Sequence, residues 1–231
     1  MRLQKFLSMA GVCSRRKGES LIREGSITVN GKTVTELGTK VDPEKDRVEF
    51  NGTEVTLKSD LLYIALNKPA GYVTSCHHPG EKIILDLIDV PLRIYPIGRL
   101  DKDSTGLILL TNDGDLHQRL AHPSFDHEKE YEVTVEDPIP DSALKKMASG
   151  MVIGDTKTRP ATLKRLGPRR FGIILKEGRN RQIRRMVKQS GNRVTRLKRV
   201  RISGIRLGKL PEGGWRHLTG KERADLLAPP V

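Results

Sequence analysis

Asp101 is the carboxylate in this chain best placed to do chemistry. It lies in Ile97-Gly98-Arg99-Leu100-Asp101-Lys102-Asp103-Ser104-Thr105-Gly106-Leu107, a polar loop between the apolar runs at 92–95 and 107–110. Such a frame holds an acid rigidly and lets it reach a ligand. The same residue types also make a solvated turn. Spacing alone does not exclude Asp103, but Asp101 directly follows Arg99-Leu100, where a side chain can be anchored. Asp113 and Asp115 flank Gly114 and read as turn and helix-cap residues.

Three other segments could serve the same ligand. Tyr131, in Lys129-Glu130-Tyr131, sits on an alternating strand. It offers an aromatic face and a hydroxyl to a base, or is a half-buried strand tyrosine. Glu177-Gly178-Arg179-Asn180-Arg181-Gln182-Ile183-Arg184-Arg185 places four arginines in seven positions at a turn entering a helix. They repel one another unless phosphates, or an internal carboxylate, neutralise them; a solvated helix start is the alternative. Arg196-Leu197-Lys198-Arg199-Val200-Arg201 alternates. Strand geometry then points Leu197, Arg199 and Arg201 one way and Arg196 and Lys198 the other. The segment lines the same cleft, or is an edge strand guarded by charge.

The elements that must position these residues are legible in outline. Leu3, Phe6, Leu7 and Ala10 have helical spacing, and Ser14 can cap a second helix that carries Arg15 and Arg16 in its first turn. Cations there oppose the helix dipole, which suggests retention for a ligand. Asn30-Gly31 marks a hairpin bearing Lys32. A connector near Lys58 leads to a buried strand over 61–66 and a turn at Lys68-Pro69-Ala70-Gly71. Further strands are expected near 106–111, 129–136, 161–165, 172–175 and 194–207, with helices over 115–121, 139–151, 182–190 and 219–227. Residues 73–89 are less legible. The interleaving, without a regular βα period, predicts an α+β fold with a mixed, largely antiparallel sheet and flanking helices. Residues 1–57 form a small N-terminal module and 58–231 a larger domain.

Charge selects the partner. The 231 residues carry a net +14, and 156–210 alone holds 19 basic residues against Glu177, leaving the rest of the chain at −4. A positive field this local points to a polyanion, and here to RNA. Aromatic content is only 4%, so one or two well-placed rings must suffice for stacking. Cys13 and Cys76 are far apart, and Cys76-His77-His78 lacks a second ligand pair, so no disulfide and no metal site are expected. No apolar run approaches the roughly 18 residues a membrane span needs, and residues 1–10 lack a signal-peptide core. A cytoplasmic monomer is expected. Without a Ser-His-Asp order, a metal-ligand helix or a nucleotide-cofactor motif, the chemistry should need no cofactor. On RNA that leaves hydrolysis or isomerisation of a nucleotide; a non-catalytic RNA-binding assembly factor is the competing class.

Two resemblances sharpen this reading. Arg2-Leu3-Gln4-Lys5-Phe6-Leu7, Gly11-Val12-Cys13-Ser14-Arg15-Arg16 and Gly25-Ser26-Ile27-Thr28-Val29-Asn30-Gly31-Lys32 resemble the S-four-type (alpha-L) RNA-binding module. That likeness implies RNA contacts by Arg15, Arg16 and Lys32. Gly98-Arg99-Leu100-Asp101 with Ser104-Thr105-Gly106-Leu107, Asn67-Lys68-Pro69-x-Gly71, Lys129-x-Tyr131 and Glu177-Gly178-x-Asn180-x-Gln182-Ile183-Arg184-Arg185-Met186 resemble bacterial pseudouridine synthases of the RsuA/RluB/RluE/RluF family. Tyr95-Pro96-Ile97 and Asp126-His127-Glu128 bring the chain nearest the RluF branch, which acts on large-subunit rRNA. The resemblance implies a pseudouridine synthase fold that isomerises uridine in rRNA on a flipped-out base, with 23S rRNA as the expected substrate and 16S rRNA or a tRNA as the alternative. It makes Asp101 the nucleophile, Tyr131 a ring packed on the base and a candidate proton acceptor, Arg184 the ion-pair partner of Asp101, and Leu197 the apolar floor. Lys68, Arg99, Arg179, Asn180, Arg181 and Arg185 are then expected to contact RNA, and Asp103 becomes loop structure.

Overall fold

A computed structural model describes residues 1–57, 60–121 and 127–228; Lys58 of the expected connector and Asp126 of the motif at 126–131 lie outside them. The chain forms two compact units. Met1–Leu62 with Val90–Ile94 and Asn112–Gly114 make the first, and the remaining residues make the second.

In the first unit, α1 (Leu3–Met9) and α2 (Arg15–Arg23) precede β1 (Ile27–Val29), β2 (Lys32–Thr33), β3 (Val48–Phe50) and β4 (Thr53–Val55). Ser14 caps α2 by accepting from the Lys17 N–H at 3.2 Å. Asn30 and Gly31 both take left-handed backbone, φ 52° and 76°, as the tight hairpin between β1 and β2 demands. The antiparallel order is β2-β1-β3-β4. Leu3, Phe6, Leu7, Leu21, Ile22, Ile27, Val41 and Val48 fill one small core. Arg15, Arg16 and Lys32 remain exposed.

The second unit follows as β5 (Tyr63–Lys68), a 3₁₀ turn (Ile84–Leu87), β6 (Tyr95–Ile97), β7 (Thr105–Thr111), α3 (Gly114–Ala121), β8 (Lys129–Val135), α4 (Asp141–Ala148), β9 (Val152–Ile153), β10 (Thr156–Lys157), β11 (Thr162–Gly167), β12 (Arg170–Leu175), α5 (Gln182–Gln189), β13 (Val194–Ile202), β14 (Ile205–Arg206), β15 (Trp215–His217) and α6 (Gly220–Leu227). Its main sheet runs β11-β12-β8-β13-β7-β5-β15, with β14 on β13 and β6 on β7. Among the described strands β13 and β7 make the parallel pair of this otherwise antiparallel sheet. One apolar cluster joins Tyr63, Ala65, Leu107 and Leu109 of the sheet to Leu116 and Leu120 of α3 and Leu226 of α6.

Gly106 makes the parallel junction possible. It pairs with Arg199 and has φ 102°. A Cβ there would lie 2.2 Å from the Arg199 carbonyl oxygen and 2.7 Å from its nitrogen. No side chain fits between two backbones that close.

The structure departs from the sequence pattern in three places. Positions 194–207 do not form one alternating strand. Ser203, at φ 48°, turns the chain into the β13–β14 hairpin. A bulge between Arg199 and Arg201 also resets the register, so Arg199 faces Tyr131 of β8 while Arg201 faces Glu130. Adjacent strand residues point to opposite faces, so Arg201 lies on the face opposite Arg199 and Leu197. The edge-strand alternative for 196–201 is excluded as well, because β13 is paired on both sides, by β8 and β7. Finally, the helix expected over 139–151 spans only Asp141–Ala148. Pro140 sits at its N-cap and Gly150 turns left-handed just beyond it.

Candidate active site

Asp101 lies in the loop that joins β6 to β7. The segment after β5 pins this loop at several points. The Lys68 ammonium donates to the carbonyls of Pro69 (3.0 Å), Lys102 (3.2 Å) and Ser104 (2.8 Å). The Gly71 N–H donates to the Lys102 carbonyl at 2.8 Å. The buried Thr74 hydroxyl donates to the Leu100 carbonyl at 2.8 Å and accepts the Leu100 N–H at 3.2 Å. Both neighbours of Asp101 are therefore held, and its carboxylate projects from a fixed backbone.

Lys68, expected to contact RNA, is instead buried, 0% exposed, with its ammonium turned to backbone carbonyls. Burial pushes its ammonium down to about 8, against the pull of Asp103 and Asp101. The sequence reading missed Thr74 altogether: a lone threonine in a segment without periodicity gives no signal.

The arginine cluster is largely neutralised from within. Arg184 places Nε 3.8 Å from the Asp101 carboxylate and Nη2 3.1 Å from that of Asp103. Its Nη2 also donates to the Ser104 hydroxyl at 3.2 Å. Arg181 lies 3.8 Å from Asp101 and 3.6 Å from Asp103. Asp103 is thus more than loop structure, because it takes the shorter of the two ion pairs with Arg184. The two acids also compensate Arg184 for its place in the first turn of α5, where a cation opposes the helix dipole.

Arg179 departs from its expected role in the same way. Its guanidinium donates to Glu177 (3.1 Å), to the carbonyl and hydroxyl of Thr156 (3.1 and 2.6 Å) and to the Lys157 carbonyl (2.6 Å). It staples the 177–182 turn to β10 rather than presenting free donors to RNA. Arg181, Asn180 and Arg185 are exposed beside it, with Arg185 donating to the Asn180 side chain at 3.2 Å.

Tyr131 and Leu197 complete the arrangement. Val133 pairs with Leu197 and Tyr131 with Arg199, so all four share one face of the sheet. A cavity of about 100 Å³ is lined by Arg99, Asp101, Ser104, Tyr131, Arg181 and Leu197, among others. It joins a carboxylate, an aromatic ring and an aliphatic side chain under a cationic rim. That combination suits a flat uncharged base on a polyanionic strand. Among the described residues, no three His, Cys, Asp or Glu side chains converge as metal ligands, and no helix is long and apolar enough to cross a membrane.

Comparison with known proteins agrees with this geometry. Residues 62–189 match the RNA pseudouridylate synthase family and residues 1–48 match the S4 domain. The chain is 44% identical over 228 residues to the dual-specificity RNA pseudouridine synthase RluF of Escherichia coli O6:H1, covering 98% of this chain and 78% of that protein. It is 43% identical to ribosomal large subunit pseudouridine synthase B of Bacillus subtilis, covering 98% and 96%. A crystal structure of a pseudouridylate synthase superposes with a TM-score of 0.73 at 33% identity, over 98% of this chain and all of that one.

Proposed function

Because the chain belongs to the RNA pseudouridylate synthase family, we propose that it isomerises uridine to pseudouridine at defined positions of rRNA, with the large-subunit rRNA as substrate. The observation that carries the chemistry is the Asp101 cavity. It puts one carboxylate beside an aromatic ring and an apolar floor, with arginines within ion-pair reach. The large-subunit target rests on the Bacillus subtilis relative, a ribosomal large subunit pseudouridine synthase, and on the RluF-like wording around 95–104. The chain is proposed to act in the cytoplasm, as a monomer without cofactor. An S4 module up to residue 57 would hold the RNA for the catalytic domain from residue 58 onward.

The reaction moves C1′ of the ribose from N1 to C5 of the same uracil. C5 loses its hydrogen as a proton and N1 gains a proton, so reactant and product are isomers and there is no net redox change. The target base must leave its stack, at a cost of a few kcal/mol. Cationic contacts to the flanking phosphates offset that cost. In this reading Asp101 is the nucleophile that allows the glycosidic bond to break. Tyr131 packs on the detached ring and Leu197 supports it from below. Apolar contact lets the ring turn between bond breaking and bond making, where fixed hydrogen bonds would lock it. Arg184 is the charge partner of Asp101, shared with Asp103.

Asp101→Asn changes one oxygen to nitrogen and keeps the loop's shape. It should abolish pseudouridine formation in a large-subunit rRNA transcript while leaving RNA affinity within a few-fold. An Asp101→Asn variant that still turned over would overturn the assignment. Mapping pseudouridines in rRNA from cells lacking the protein identifies the target uridine.

A further inference from the structure

A second cavity, of about 180 Å³, adjoins the first, and Arg99, Tyr131, Glu177 and Gly178 belong to the walls of both. Its floor is apolar, with Leu109, Leu120 and Ile202. Its polar lining is cationic, with Lys129, Lys176, Arg199 and Arg99. No role assigned above falls on Lys129, Lys176 or Arg199.

Arg199 is the informative residue. It is only 2% exposed. Its Nε donates to the Leu107 carbonyl at 2.7 Å and its Nη1 to the Arg99 carbonyl at 3.4 Å, while its Nη2 is buried with no hydrogen-bond partner. A buried guanidinium nitrogen without an acceptor is costly, the more so for a charged group. Lys129 stands close enough to repel it: burial, and then the Arg199 charge, push the Lys129 ammonium down. The ammonium has the His127 carbonyl as an acceptor at 3.3 Å.

Glu177, the acid in this lining, does not neutralise the pair. Its Oε1 accepts from the Arg159 N–H (3.1 Å) and the Gln182 amide (2.7 Å), and its Oε2 from Arg179 (3.1 Å). Among the described residues, neither cation has an acidic partner and one Arg199 donor lacks an acceptor, while the guanidinium lies 6.0 Å from the centre of the Tyr131 ring.

We infer that this second cavity is a phosphate subsite, in which Arg199 Nη2 and the Lys129 ammonium bind a phosphodiester of the RNA strand next to the flipped uridine. The inference rests on the proposed function for the identity of the strand, but not for the anion chemistry. Bound oxygens would supply the missing acceptor and relieve the repulsion between the two cations. Through the shared wall, they would also register the nucleotide against Tyr131 and Asp101. Lys176 and Arg99, at the exposed rim, would guide the strand in.

The test uses the full chain with 15N-labelled arginine side chains. Uridine, inorganic phosphate, and uridine 5′- and 3′-monophosphate are titrated while the Arg199 Nε–H resonance is followed. The expected result is a saturable shift with at least one monophosphate and none with uridine. Inorganic phosphate should move the same resonance more weakly. Lys129→Gln should weaken monophosphate binding about tenfold. An Arg199 resonance that ignores both monophosphates, or answers uridine equally, overturns the subsite. So does unchanged monophosphate affinity in a folded Lys129→Gln protein. A parallel assay of wild-type pseudouridine formation separates the two readings. Activity without the shift sinks the subsite alone, and the shift without activity sinks the proposed function alone.

Discussion

At the scale of single residues, this site works by sharing charges. Two acids, Asp101 and Asp103, face two arginines, Arg181 and Arg184, at 3.1–3.8 Å. Arg184 is the more buried arginine and Arg181 the more exposed. Their losses should therefore differ. Arg184→Ala is expected to lower pseudouridine formation by about 100-fold or more with RNA affinity nearly kept, since about 3 kcal/mol is typical for an active-site electrostatic group. Arg181→Ala should mainly weaken RNA binding. Rates and binding isotherms for both variants check this, and identical behaviour would refute the division of labour. Lys68 makes a second case. The unfolded chain holds its proton up to 10.5, the folded chain only to about 8. Between these values the unfolded state binds more protons, so this group's contribution to stability rises with pH there and is flat below pH 8. Thermal melts from pH 7 to 10 should show this component in the wild type and lose it in Lys68→Met. The variant should also be less stable by about 3 kcal/mol, with loop carbonyls left unpaired.

At the scale of elements, the parallel β7–β13 contact is what brings the Asp101 loop to Tyr131. β7 begins directly after that loop, β13 carries Leu197 and Arg199, and β8 carries Tyr131. The contact depends on Gly106, where a Cβ would overlap the Arg199 backbone. Gly106→Ala is therefore expected to destabilise the protein by about 3 kcal/mol or more, combining a forced backbone shift with a positive φ. Denaturant melts measure the loss. A well-folded Gly106→Ala protein of ordinary stability would show that the junction yields. The bulge at β13 is equally specific. It sends Arg201 to the far face, where it pairs with Glu130 (2.7 Å) and Glu128 (3.0 Å), and leaves Arg199, among the described residues, without an acidic partner on the cavity side.

At the scale of the whole molecule, the +14 charge is concentrated in 156–210, yet much of that segment is tied down internally. Arg179, Arg184 and Arg201 are partly buried with acidic partners, Arg181 is exposed while still within reach of Asp101 and Asp103, and Arg185 and Arg196 are exposed. The number of cations that meet RNA is thus smaller than the net charge suggests. Arg185→Gln should lower the slope of log affinity against log salt by slightly less than one, with kcat little changed. Arg193→Gln, whose guanidinium pairs with Glu136 at 2.5 Å, should leave that slope unchanged. Titrations at several salt concentrations decide it. Equal effects from the two variants would mean that charge acts as a diffuse field rather than through specific phosphates.

The sequence by itself determined most of the elements and the chemistry class, because both are local. Asn30-Gly31 dictates its turn, alternation at 129–135 puts Tyr131, Val133 and Val135 on one face, and the loop at 98–104 announces an acid on a frame. Tertiary structure alone decided who meets whom. That Lys68 is a buried staple, that Arg179 is committed to β10, and that Asp103 shares Arg184 depend on contacts between segments 22 to 81 residues apart. The bulge that separates Arg199 from Arg201 has no signature in an alternating run, since one extra residue leaves the pattern of residue types intact while reversing every side chain after it. Asp101 was legible from the start. The company it keeps was not.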